Sequence, residues 1–105
     1  MTPTLFGQQL PQPALRITYD SLSQLDLSLP LEHLVDDLGE DLLQIETLGG
    51  DIVDVGWYPA WNRNGRLRVV TVRNFDWEAP LYSSHPALHS GALLQALHAA
   101  LGAAV

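Results

Sequence analysis

A chain of 105 residues, 47% apolar and with a formal net charge of -7, has the composition of one folded acidic domain. It contains no cysteine, which excludes disulfides, thiolate metal sites and cysteine nucleophiles and is compatible with a reducing compartment. Five Lys and Arg residues against twelve carboxylates are too few to provide the clustered cations that nucleic-acid binding requires.

Charge is strongly segregated along the sequence. No Lys or Arg occurs from Ile17 to Asn62, and this stretch contains ten carboxylates: Asp20, Asp26, Glu32, Asp36, Asp37, Glu40, Asp41, Glu46, Asp51 and Asp54. Four of the five Arg follow, at Arg63, Arg66, Arg68 and Arg73, and no formally charged residue follows Glu78. A field arranged in this way steers and discriminates charged partners, so we expect the partner to be a basic protein.

The N-terminal segment, residues 1–13, contains Pro3, Pro11 and Pro13, and each proline biases the preceding residue away from helix. We therefore predict an extended arm over residues 1–13 and a single domain over residues 14–105. The segment lacks the features of a signal peptide, and no apolar run reaches the ~20 residues of a membrane span. We expect a cytoplasmic protein that does not bind membranes.

The first predicted strand contains Leu15, Ile17 and Tyr19, which alternate with polar residues as in a strand that is buried on one face. A similar alternation of leucines from Leu25 to Leu29 predicts a partner strand. Residues 21–24 would then form the turn between them.

A short acidic helix is predicted to begin at Pro30 and to end at Gly39. Its apolar residues recur at helical spacing, at Leu31, Leu34, Val35 and Leu38. Its other face carries the carboxylates Glu32, Asp36, Asp37 and Glu40. This face is either solvated or directed at a partner.

Two hairpins are predicted next. The first joins residues 43–47 to residues 53–57 around Gly49-Gly50, and the second turns at Asn64-Gly65. A two-residue second loop would place Arg68 opposite Trp61, Val70 opposite Pro59 and Val72 opposite Trp57, whereas a four-residue loop over 62–65 would shift the pairing. The first register gives Val55, Trp57, Val70 and Val72 a common face, with Asp54 near Arg73 on the other.

A C-terminal helix is predicted to start at Ser84-His85-Pro86 and to run to Val105. Its core-facing stripe comprises Ser90, Leu93, Leu94, Leu97 and Leu101, while Gln95, His98 and Gly102 face away. Because residues 79–105 carry no formal charge, the outer face of this helix, including Leu88, is apolar, and we expect weak self-association or a covering partner.

The predicted fold is α+β: a mostly antiparallel sheet of four to five strands, the short acidic helix, and the C-terminal helix packed on one face.

Catalytic and metal-binding patterns are thin in this sequence. His85 and His89 are four residues apart, but no carboxylate close in sequence completes a metal site. The serines belong to no nucleophile motif, and Gly49-Gly50 does not precede a helix as a phosphate loop does. We therefore predict no enzymatic activity, no metal and no cofactor.

Aromatic residues crowd the region from Trp57 to Tyr82. Trp57 and Phe75 are predicted to be buried. Trp61, beside Arg68 in the predicted register, is either an exposed interface anchor or part of simple hairpin packing.

One part of the chain, about residues 52–81, resembles small bacterial immunity proteins of the contact-dependent inhibition and polymorphic toxin systems. The resemblance lies in residues 53–59 (VDVGWYP), Gly65, residues 68–70 (RVV) and residues 76–81 (DWEAPL). It implies a small cytoplasmic inhibitor of a toxin without a cofactor. It implies no topology and no contact residues, because that class contains many unrelated folds.

Together, the residues and the resemblance lead to the hypothesis of a non-enzymatic acidic protein that neutralises a basic toxin domain. The residues expected to steer the partner are Glu32, Asp36, Asp37, Glu40 and Asp41, and those expected to anchor it are Tyr58, Trp61 and Trp77. The rival hypotheses are a dimeric protein like a secretion chaperone and a small metal-dependent enzyme that uses His85, His89 and Asp residues.

Overall fold

The computed structural model describes residues 3–104 and contains one five-stranded antiparallel sheet, one small two-stranded sheet and one α-helix, which confirms the predicted α+β class. The elements in chain order are β1 (Thr4–Leu5), β2 (Gln8–Gln9), β3 (Ala14–Asp20), β4 (Leu43–Thr47), β5 (Ile52–Tyr58), β6 (Arg66–Val72), β7 (Tyr82–Ser84) and α1 (Ser90–Gly102). Strands β3 to β7 lie side by side in sequence order, as a meander. Met1, Thr2 and Val105, which the predicted arm and helix include, lie outside the described residues.

The core lies between one face of the meander and α1. Alternate residues of the three central strands point to this core face, and all are buried: Leu43, Ile45, Val53, Val55, Trp57, Leu67 and Val69. The helix contributes Leu93, Leu97, Ala100 and Leu101. The hydroxyl of Thr71 on β6 donates to the Ala100 carbonyl oxygen at 2.7 Å and so ties the helix to the sheet. We call the opposite side of the sheet the outer face.

The β4–β5 hairpin confirms the prediction from Gly49-Gly50. Gly50 has a φ of +88°, a conformation that side chains with a Cβ disfavour. The buried Asp51 accepts a paired contact from Arg73, with Nε–Oδ1 at 3.1 Å and Nη2–Oδ2 at 3.0 Å. Arg73 was predicted to lie near Asp54; the structure pairs it with Asp51 instead.

The predicted register of the β5–β6 hairpin is wrong. Tyr58 pairs with Arg66 and Trp57 with Leu67, so the connection spans residues 59–65. The loop is long because it wraps the Trp57 indole, whose Nε1 donates to the Asn62 carbonyl oxygen at 2.8 Å. A Cβ at Gly65 would collide with that ring, so the Asn-Gly pair serves this wrap and not a two-residue turn. Val70 and Val72 consequently lie on the outer face, opposite to Val55 and Trp57.

The segment between β3 and β4 differs most from the prediction. Residues 25–29 form no strand, because the Asp26 carboxylate accepts from the main-chain N–H of Ser28 at 3.1 Å and turns the chain. The helix predicted from Pro30 to Gly39 is present only as two 3-10 turns, Leu31–His33 and Val35–Asp37. Buried Leu34 and Leu38 still anchor this segment in the core. Carboxylates at the C-terminal end of a helix oppose its dipole, which accounts for the preference for short turns.

The segment predicted to be an extended arm contains the β1–β2 hairpin, and its Leu5 and Leu10 are buried in the core.

The following strand, β3, was predicted correctly, but the prediction of which of its side chains are buried was wrong. Two register irregularities against β4 rotate its side chains, so that Ile17 packs on the core while Leu15 and Tyr19 are exposed. Such irregularities are common at sheet edges.

The C-terminal helix begins later than predicted, at Ser90 instead of near His85. Residues 82–84 form the edge strand β7, and His89 caps the helix: its Nδ1 accepts from the N–H of Gly91 at 3.1 Å and of Ala92 at 3.4 Å. Gln95, His98 and Gly102 are exposed as predicted, whereas Leu88 precedes the helix and packs against the core. Within residues 3–104, no helix has the length and apolar character needed to cross a membrane.

Candidate functional site

The acidic segment from Gly39 to Leu42 lies alongside the end of β5. The N–H of Trp57 donates to the Gly39 carbonyl oxygen at 2.9 Å, and the N–H of Leu42 donates to the Val55 carbonyl oxygen at 2.9 Å. Between these bonds, the Glu40 carbonyl oxygen sits over Gly56, where any Cβ would collide with it and with the Tyr58 ring. Gly56 thus allows the backbone of the acidic segment to press against the outer face.

Trp61 covers the start of this segment. Its N–H donates to the Leu38 carbonyl oxygen at 2.8 Å, and its indole lies against Gly39. The residue has a positive φ of 56° and its side chain remains 66% exposed. The loop therefore presents a large aromatic surface next to the carboxylates. The main-chain hydrogen bond of Trp61, and not burial of its indole, holds this surface in place.

An open cleft of about 540 Å³ results, which we call the acidic cleft. Its lining consists of Tyr19, Ser21, Asp36, Asp37, Gly39, Glu40, Asp41, Ala60 and Trp61. Among residues 3–104 the ion pairs are Arg16–Glu46 and Arg73–Asp51, so no Arg pairs with the four carboxylates of the cleft. The cleft combines four carboxylates with two exposed aromatic rings, Tyr19 and Trp61.

Five of the eight residues predicted to bind a partner meet in this cleft: Asp36, Asp37, Glu40, Asp41 and Trp61. Tyr58 lies beside it, with its hydroxyl 3.4 Å from the Glu40 carbonyl oxygen. Glu32 is exposed in the preceding turn and does not line the cleft. Trp77 belongs to the β6–β7 loop, which leaves the sheet at the end opposite the cleft, because Val72 pairs with Ile52 at the start of β5. The structure therefore places Trp77 away from the cleft.

Arg68 was predicted to stack beside Trp61, and it does not. It pairs with Gly56 across the hairpin, and its guanidinium carbon lies 5.9 Å from the centre of the Tyr58 ring. Burial raises the pKa of the Tyr58 hydroxyl, and the nearby Asp54 and Glu40 carboxylates raise it further against the opposing effect of Arg68. Tyr58 therefore remains a neutral hydroxyl at physiological pH.

A smaller cleft of about 310 Å³ adjoins the acidic cleft and shares Tyr19 and Asp41 with it. We call it the Asp54 pocket; it is lined by Tyr19, Asp41, Leu43, Gln44 and Asp54. Sequence reasoning placed Asp54 near Arg73 and did not connect Tyr19 or Gln44 with a site. The sequence feature that could have indicated this site is Asp54 itself, the one carboxylate in the otherwise apolar strand Ile52–Tyr58.

Asp54 is the unusual group of this pocket. It is only 7% exposed, and burial raises the pKa of its carboxyl from 3.8 to about 6. The Gln44 amide and Arg68 act against that rise, and repulsion from Asp41 adds to it. Buried carboxylates with raised pKa values occur often at functional sites.

The histidines considered for a metal site have other contacts. His85 Nδ1 lies 2.9 Å from the Leu67 carbonyl oxygen, and His89 Nδ1 caps α1. In the part of the chain that the structure describes, no three His, Asp or Glu side chains are arranged to hold a metal ion.

The β6–β7 loop forms a second exposed surface. Phe75, predicted to be buried, is 71% exposed, and Trp77 and Leu81 are each 43% exposed. Asn74 and Phe75 both have positive φ values, 56° and 57°, which direct the loop away from the core. The prediction that Phe75 is buried was wrong, because hydrophobicity alone does not show whether a residue in a turn points to the core or to solvent.

No protein-family model matches this chain, and neither the curated proteins nor the solved structures include one with significant similarity to it.

Proposed function

We propose that this chain is a non-enzymatic binding protein whose acidic cleft receives a basic surface of a partner protein. The observation that carries the proposal is the meeting, in one cleft, of exposed Trp61 with four carboxylates that form no ion pair within residues 3–104. If the carboxylates were only a solvated face, no exposed aromatic side chain would need to be fixed beside them, as Trp61 is by its main-chain hydrogen bond. An interface uses both, since charges steer the encounter and aromatic side chains supply desolvated contact area.

The two kinds of residue have different roles in this proposal. Asp36, Asp37, Glu40 and Asp41 are exposed, so they act mainly on the association rate and their effect falls with ionic strength. Trp61 can lose its remaining exposure to a partner and so lengthen the lifetime of the complex. The net charge of -7 adds a long-range attraction to basic partners.

The more specific proposal is an immunity protein that masks a basic toxin domain. The resemblance over residues 52–81 supports it, and that range includes Ala60 and Trp61, which line the cleft from the loop between β5 and β6. Masking requires no chemistry from the inhibitor: occupying a basic substrate-binding surface is sufficient.

A selection from random peptides tests the general proposal without a known partner. The purified protein is immobilised, and displayed peptides are selected at low and high salt. Peptides rich in Arg and Lys are expected to be enriched at low salt. The double variant Asp36→Asn/Asp37→Asn should lose this enrichment, whereas the matched control Asp76→Asn/Glu78→Gln, which removes two exposed charges from the β6–β7 loop, should keep it.

Enrichment without a basic bias, or an equal basic bias in both double variants, would refute the role of the cleft.

The immunity proposal is tested by co-expression with a toxin domain encoded beside this chain. Wild-type protein should restore growth, and Trp61→Ala should protect less well at equal protein abundance. Growth arrest that wild-type protein fails to relieve would count against immunity.

A further inference from the structure

Asp54 is only 7% exposed, and one of its two carboxylate oxygens makes no hydrogen bond within residues 3–104. Its Oδ2 receives one long bond from Gln44 Nε2, at 3.5 Å, and its Oδ1 accepts none from residues 3–104. Buried carboxylates are normally paired or fully hydrogen-bonded, because removing charge from water is costly. Among the described residues no fully buried side-chain oxygen lacks a hydrogen bond, so Oδ1 is open to the Asp54 pocket and a donor that enters the pocket can reach it.

Two polar side chains near Asp54, those of Gln44 and Arg68, have contacts of their own. Gln44 is held in place, since its Oε1 accepts from the Thr18 hydroxyl at 3.2 Å while its Nε2 points to Asp54. The cation on the neighbouring strand, Arg68, lies over the Tyr58 ring and forms no hydrogen bond with Asp54. The pocket lining thus offers a second acceptor, Asp41, and the half-exposed ring of Tyr19, and within residues 3–104 no group other than Gln44 donates to Asp54.

We infer that the Asp54 pocket receives one arginine side chain of the basic partner, with its guanidinium bound to the Asp54 carboxylate. This inference rests on the proposed function, because the pocket is continuous with the acidic cleft through Tyr19 and Asp41. Arginine fits better than lysine for two reasons. A planar guanidinium can donate to Asp54 and Asp41 together, and it stacks on an aromatic ring and leaves water more easily than an ammonium group does.

Binding to this pocket has a pH dependence that binding to exposed carboxylates lacks. The guanidinium requires ionised Asp54, whose carboxyl has a pKa of about 6 in the free protein. The groups near Asp54 are Asp41 from the segment before β4, Gln44 on β4, Tyr58 on β5, Arg68 on β6 and Tyr19 on β3, and Glu40 lies near Tyr58. The free carboxyl is mostly protonated at pH 5, so arginine binding there should be about tenfold weaker than at pH 7.5.

The test uses N-acetyl-arginine amide as the probe and follows the protein by NMR. A Kd of about 1 mM is expected for a fragment of this size. Signals of Asp54, Gln44 and Tyr19 should shift together, and the Asp54 pKa should fall in the presence of the probe. The neutral isostere N-acetyl-citrulline amide should not bind, and the lysine derivative should bind several-fold more weakly. Asp54→Asn should abolish the response, and Glu78→Gln, which removes one remote charge, should leave it unchanged.

The outcomes separate this inference from the proposed function. Shifts confined to Trp61 and Asp36, with equal binding by Asp54→Asn, would overturn the arginine pocket and leave the acidic cleft in place. No shift of the pocket signals at saturating probe would also overturn it, while the peptide selection would still decide on the cleft. Equal binding of the arginine and lysine derivatives would refute the role of the guanidinium. If Asp54→Asn folded poorly, the probe-induced fall in the Asp54 pKa of the wild-type protein would remain decisive.

Discussion

The main-chain carbonyl of Glu40 lies directly over Gly56, and this contact holds the acidic segment against the sheet. The neighbouring bonds from Trp57 to Gly39 and from Leu42 to Val55 depend on the same close approach. One residue without a side chain in the middle of β5 therefore sets the position of Glu40 and Asp41, and with them the walls of both clefts.

Gly56→Ala should destabilise the protein by about 2 kcal/mol or more, because the new Cβ would collide with the Glu40 carbonyl and the Tyr58 ring. Urea unfolding measures the change in the free energy of unfolding. Gly102→Ala is the matched control, since a Cβ there meets nothing and alanine favours helix. Equal stabilities for wild type and Gly56→Ala would show that the segment is not held by this contact.

Asp54→Asn should stabilise the protein at neutral pH. The Asp54 pKa is about 6 in the folded state and about 3.8 when unfolded, so the folded state binds the proton more tightly. Ionisation consequently costs stability as the pH rises from about 4 to above 6, up to about 3 kcal/mol by linkage. The gain from Asp54→Asn should be largest above pH 6.5 and small at pH 4. Unfolding at a series of pH values, with Glu78→Gln as the charge control, measures it; a gain that does not vary with pH would contradict the assignment.

The acidic and aromatic residues of the cleft should affect different rate constants. Against a selected basic peptide at low salt, Asp36→Asn/Asp37→Asn should slow association about tenfold with little effect on dissociation. Trp61→Ala should instead raise the dissociation rate about 30-fold, which corresponds to ~2 kcal/mol. Surface plasmon resonance at two salt concentrations separates the two. An association rate indifferent to salt and to the acidic substitutions would mean that these carboxylates form only a solvated face.

His89→Ala should destabilise the protein by about 1 kcal/mol, because it removes the side-chain acceptor for the N–H groups of Gly91 and Ala92. His89→Asn supplies another N-cap acceptor and should retain most of the stability. His98→Ala, on the exposed face of the same helix, is the control. Thermal unfolding of the three variants is the measurement, and equal losses for His89→Ala and His89→Asn would argue against a capping role.

Weak self-association is expected through the exposed loop residues Phe75, Trp77 and Leu81 and not through Leu88, which packs on the core. Sedimentation over a concentration series should show a rising average mass for the wild type. Phe75→Ser/Trp77→Ser should reduce the rise, and Trp61→Ser, at the other end of the sheet, should not. A strict monomer at every concentration would remove this expectation.

Local sequence patterns determined the antiparallel strands, the hairpin at Gly49-Gly50 and the buried stripe of the last helix. Each of these follows from side-chain alternation or from the conformational freedom of glycine, which act over a few residues. The acidic character of the site was also visible in sequence, because Asp36, Asp37, Glu40 and Asp41 fall within one stretch without a cation. Five of the eight predicted binding residues consequently lie in one cleft.

Tertiary contacts decided the rest. The β5–β6 register depends on a loop wrapped around the Trp57 indole. Trp57 pairs with Leu67 instead of Val72, and because this shift of five residues is odd, Val70 and Val72 lie on the other face of the sheet. The burial of Asp54, its free Oδ1 and its raised pKa arise only where β3, β4, β5 and the segment before β4 come together. Desolvation depends on all the atoms around a group, most of them distant in sequence, so a strand pattern could indicate an aspartate among valines but not the pocket that it faces.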